Sequence, residues 1–160
     1  MKRLVEELME LIQELAYRDK KEVETRLTDQ FRPLVEHLTK IYLYRDNYNL
    51  NGWLRTVKNI VGRMIDIVFL SNVKITTNRL KKWFYFNKID EYLDIVLDIV
   101  KSDVDELPLA SDDYTVKCFV KRRLEEVFEI LEKRDINKLE KLIETIKSDV
   151  RNFNYDCSER

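Results

Sequence analysis

A chain of 160 residues with 44% hydrophobic side chains can fill one core, so it is read as a single domain over residues 1–153 with a flexible tail at 154–160. Lys and Arg number 29 against 30 Asp and Glu, a net charge of -1, so no global field draws the chain to nucleic acid or anionic lipid and any basic site must be local. Two Gly and two Pro beside 37% charged residues starve tight strand connections and suit helices with solvated faces.

The expected fold is all-α, a bundle of six to seven amphipathic helices. Leu4, Val5, Leu8, Met9, Leu11, Ile12 and Leu15 follow the i, i+3, i+4 spacing of one helical face and predict a first helix ending at Ala16. Asp19 with Glu22 three residues on resembles a capping box, and Val23, Leu27, Leu34, Leu38 and Ile41 carry a second helix to about Tyr44. Pro33 lies inside that second helix. Its missing N–H and its ring should kink or split the helix.

Residues 45–52 are rich in Asn and lack periodicity, so they read as a loop with Asn51 as the next N-cap. From Trp53 to Val68 the apolar band is wide enough for two or more neighbours, which predicts a central helix. After a break at 71–75, Thr76 or Thr77 caps a helix through Leu80, Trp83 and Phe84 and on to Val100, with a bend near Asn87. The acidic stretch 102–113, which holds Pro108, is a candidate hinge before a C-terminal pair of helices. That pair is expected at about Tyr114–Lys133 and from Ile136 to about Val150, the latter capped by Asp135. Two such helices enclose too little apolar area alone and must dock on the rest or on another subunit.

Several chemistries lack their parts. Gly52 and Gly62 are isolated, so no phosphate-cradling loop is formed. One histidine cannot build a histidine-rich metal site, and no metal or cofactor is expected. Cys118 and Cys157 form no Cys-x-x-Cys pair, so neither a zinc cage nor a disulfide framework is expected and a reducing compartment fits. Without a signal-like or membrane-length apolar run, the chain is read as cytoplasmic and not membrane-bound.

Two groups of residues retain chemical interest. Arg32-Pro33-Leu34-Val35-Glu36-His37 is an Arg-x4-His arrangement. It resembles the motif of the small helical HEPN ribonucleases, and the resemblance implies an arginine on the scissile phosphate and a histidine moving protons. In the second group, from Arg79 to Lys88, Arg79, Lys81, Lys82 and Lys88 interleave with Trp83 and its aromatic neighbours, as in surfaces that stack bases and neutralise phosphates. Lys117, Lys121 and Arg122 would extend that patch. Arg63 and Asp66 can also pair across one turn of the most apolar helix.

Leu11-Ile12-Gln13-Glu14-Leu15, Glu24-Thr25-Arg26-Leu27, the run Leu34 to Lys40 with His37-Leu38, and Trp53-Leu54-Arg55-Thr56-Val57 are similar to the helical family called domain of unknown function 29. That resemblance, over roughly residues 11–57, implies a helical bundle with His37 in a helix-packing signature, and brings no established activity with it. The expected role is a binding or assembly module without catalysis, partnered by copies of itself or another protein, its contacts placed on the wide band of 53–68 and on Arg79–Lys88. The alternatives are a nucleic-acid-binding protein using the basic-aromatic patch and a ribonuclease using Arg32 and His37.

Overall fold

From Lys2 to Leu43 no glycine interrupts the chain, and it folds as one 42-residue helix, α1. The computed structural model describes residues 2–103 and 112–152. The two helices expected before residue 44 are therefore one. Asp19 and Glu22 lie inside α1, where a polar run of helix formers serves as a solvated turn and gives the helix no reason to stop. Pro33 also sits within α1 without ending it.

A turn over 44–49 follows, in which the Asn47 side chain accepts the Asn49 N–H at 2.8 Å. Asn49, not Asn51, precedes the next helix, α2, at Leu50–Phe69. The wide band of α2 includes Leu54, Val57, Ile60, Val61, Met64 and Ile65, all buried, and α1, α5 and α6 cover it. Thr76 caps α3 (Thr77–Trp83) by accepting the Arg79 N–H at 3.1 Å. The long helix expected to run on to Val100 breaks at Tyr85, a non-glycine residue in the left-handed region at φ 51 and ψ 47. A 3-10 turn (Phe86–Lys88) then leads into α4 (Ile89–Asp103).

Asp112 caps α5 (Asp113–Lys133), accepting the Thr115 N–H at 2.8 Å. Asp135 accepts the Asn137 N–H at 3.1 Å just ahead of α6 (Asn137–Asn152). Among the described residues there are six α-helices and no strand, so the chain is an all-α bundle. The C-terminal pair docks on the rest: α5 packs on α1, α3 and α2, while α6 packs on α2 and α5. Leu27, Leu38, Tyr42, Ile60, Phe119 and Phe128 are among the most completely buried core side chains.

The proposed hinge at 102–113 falls mostly outside the described residues, as does the tail 154–160. No described helix is long and apolar enough to cross a membrane. Cys118 corrects one expectation, since its buried sulfur is in a disulfide; Cys157 lies outside the described residues. Spacing along a chain does not reveal which sulfurs meet in space.

Candidate functional site

Arg32 and His37 share α1, but five residues of helix turn their side chains about 140° apart. Arg32 Nε donates to Glu36 Oε1 at 2.8 Å, an ion pair on the surface. His37 is half-buried with Nδ1 2.7 Å from the Pro33 carbonyl, which assigns the proton to Nδ1. Burial pushes the His37 imidazole below its ordinary value, against the opposing pull of that hydrogen bond. The two side chains are thus committed to separate local partners.

The second group opens onto a groove. Where α1 leaves the core it presents Lys20, Lys21, Glu24, Thr25 and Thr28 on one side. The corner between α3 and α4 supplies the opposite wall. One part of the groove, about 650 Å³, runs over Phe31, Trp83, Phe84, Tyr85, Lys88, Glu91, Tyr92 and Ile95. A second part, about 590 Å³, is lined by Asn78, Arg79, Lys82, Trp83 and Tyr85 and shares Lys21 and Glu24 with the first. Phe31 and Phe84 stack at 4.4 Å in its floor, and Tyr92 tilts against Phe31 at 5.6 Å. Burial raises the Tyr92 phenol above its ordinary value.

Four of the residues singled out by sequence, Arg79, Lys82, Trp83 and Lys88, therefore line one concavity. The others lie elsewhere. Lys81 sits over the Phe86 ring at 5.3 Å and 4.0 Å from Glu125. Lys117 and Lys121 on α5 reach across to Asp94 and Asp90 of α4, each at 2.8 Å. The hydrogen bond that Lys117 donates to Asp94 holds its ammonium above its usual value. Arg122, half-buried on α5, is not part of the groove lining. The Arg63–Asp66 pair does not form; both residues are exposed and Arg63 bonds Gln30 of α1 at 3.3 Å.

Among the described residues, an uncovered apolar face lies at the start of α1. Leu4, Val5, Leu8, Met9, Leu11, Ile12 and Leu15 are 48–63% exposed, on a segment of α1 that lies ahead of the buried Val23. Their periodicity was visible. What it does not tell is whether another element of the same chain lies against the face.

Among the described residues, no group of three or more His, Cys, Asp or Glu side chains is arranged to hold a metal ion. No family model, curated protein or solved structure matches this chain.

Proposed function

We propose that the protein is a helical assembly module that self-associates through the N-terminal segment of α1. The observation that carries this reading is the uncovered stripe from Leu4 to Leu15. Leu4, Leu8, Leu11 and Leu15 recur at spacings of four, three and four, the a/d seam of a helix that packs on other helices. Val5 and Ile12 add a second apolar column beside that seam, wider than a two-helix contact uses.

A Leu-sized side chain hides roughly 100 Å² on burial, so the side chains of the seam and the column beside it offer on the order of 600 Å² per copy. A standard interface buries about 800 Å² per partner. A second copy supplies an identical stripe of the same extent, which makes self-association the simplest way to cover it. Past Leu15 the seam positions become Arg18 and Glu22, so the contact ends before the groove begins. The resemblance of residues 11–57 to domain of unknown function 29 is compatible with this role, since it implies a helical bundle and brings no established activity with it.

Light scattering of the purified chain tests the reading against Leu8→Glu and Leu11→Glu variants. The wild type is expected at a multiple of the monomer mass and both variants at the monomer mass, with unchanged helical circular dichroism. Both residues are exposed, so the variants are expected to fold with stability changed by less than about 0.5 kcal/mol. A wild type that stays monomeric at high concentration overturns the proposal.

A further inference from the structure

We propose that the groove between α1 and the α3–α4 corner binds single-stranded nucleic acid, with bases stacked on Tyr85 and Trp83 and phosphates met by Lys20, Lys82 and Lys88. The inference goes beyond self-association and rests on different residues.

Tyr85 is the first observation. It is 73% exposed and held at positive φ, a conformation that bulky residues rarely adopt. A turn needing φ 51 is met without cost by glycine, yet here it carries a large ring into solvent at a point shared by both parts of the groove. Trp83, half-buried, lies in the same wall, and the Phe31–Phe84 stack forms a stiff floor beneath. Flat aromatic faces open to solvent suit bases not already paired in a duplex.

Charge is the second observation. Lys20, Lys82 and Lys88 make no ion pair among the described residues, whereas Lys81, Lys117 and Lys121 outside the groove are each matched by a carboxylate. Arg79 anchors itself on the Lys74 carbonyl at 2.8 Å and keeps its charge. Of the two carboxylates in the lining, Glu24 is taken up by Lys21 at 2.8 Å, leaving Glu91 as the opposing charge. In a chain of net charge -1 this is a local surplus of cations beside exposed rings. Phosphates and bases are the ligand groups that use both together.

The test is fluorescence anisotropy of labelled oligouridylate and oligothymidylate, each about 12 nucleotides and long enough for one such groove. Binding is expected at about 50 mM salt, weakening by tenfold or more at about 200 mM as phosphate contacts are screened. Equal affinity for both strands supports recognition through base and phosphate alone; tighter binding of the uridylate supports the same groove with added contact to the 2′-hydroxyl.

Tyr85→Gly keeps the backbone conformation and removes the ring, and is expected to weaken binding by about fivefold or more. The double variant Lys82→Glu, Lys88→Glu is expected to lose at least tenfold, while Lys117→Ala, on another face, leaves affinity unchanged. Leu8→Glu is expected to retain binding per chain, so this proposal and the assembly reading fail separately. No binding of either strand at low salt overturns the inference. So does binding that Tyr85→Gly leaves intact, a result readable even if the double variant fails to fold.

Discussion

Phe31 of α1 and Phe84 at the end of α3 lie face to face, ring centroids 4.4 Å apart and planes within 8° of parallel. Phe84 in turn stacks on Phe128 of α5 at 5.4 Å, and Phe86 meets the same ring edge-on at 5.6 Å. One aromatic column thus ties the wall of the groove to two long helices. Phe31→Ala is expected to destabilise the fold by about 3–5 kcal/mol through lost burial and the cavity left behind. Urea denaturation followed by circular dichroism measures this. A loss below about 1 kcal/mol would mean that α3 is not held through this stack.

Much of this architecture is legible in local chemistry alone. Thr76 caps α3 and the 3.6-residue period marks α2, α5 and α6, because caps and stripes act within a few residues of sequence. Asp19 shows the limit: the same residues that start a helix also solvate its middle, and only packing from Val23 onward decides between the two. The break at Tyr85 had no glycine to announce it. From Arg79 to Lys88, and at Lys117 and Lys121, the right residue types are legible, but not which cations are already held. That depends on Glu125, Asp90 and Asp94, which come from other helices.

Arg123 illustrates a buried charge whose partners come from two helices. It is 3% exposed, with its guanidinium 3.1 Å from Glu126 of its own helix and 3.1 Å from Asp149 of α6. Arg123→Ala is expected to cost about 1–3 kcal/mol, because two partly hydrated carboxylates lose their partner and the packing over Phe119 is lost. Glu126 behaves differently. Burial raises its carboxyl above the ordinary range and outweighs the pull of Arg123. A raised acid stabilises the fold below its unfolded value, about 4.3, and that contribution is lost as pH climbs through the folded value. Glu126→Gln is therefore expected to equal or exceed the wild type in stability near neutral pH, with any advantage vanishing in acid. Urea midpoints at the two pH values decide it; a clear loss at neutral pH would show that the ion pair outweighs burial.

His37 predicts the opposite slope over a different window. Its imidazole is lowered by burial, so the unfolded chain binds a proton that the folded chain resists. Stability is then full above the ordinary histidine value of about 6.5 and falls as pH drops from there through the folded value. The wild type is expected to lose urea resistance over this interval, and His37→Gln is expected to lose less. Identical pH profiles for the two proteins would assign the titration to other groups. The Nδ1 hydrogen bond to the Pro33 carbonyl fits the neutral ring and reserves Nε2 as the nitrogen that takes the proton.

Pro33 bears on the continuity of α1. A proline there cannot donate to the carbonyl of Asp29 one turn earlier, and inside a helix it is less favourable than alanine by about 3 kcal/mol. Part of that difference is offset by the stiffness proline gives the unfolded chain, worth up to about 1 kcal/mol. Pro33→Ala is expected to raise stability by about 1–3 kcal/mol, seen as a higher urea midpoint with an unchanged denaturant slope. Phe31 and Leu34, on either side of this stretch, are buried, so the groove floor and the core both depend on how α1 passes residue 33. If alanine instead lowers the midpoint, the proline ring is contributing packing that outweighs the missing hydrogen bond. Tryptophan emission in a Trp53→Phe background, where Trp83 is the remaining indole, then reports whether the groove wall has shifted with it.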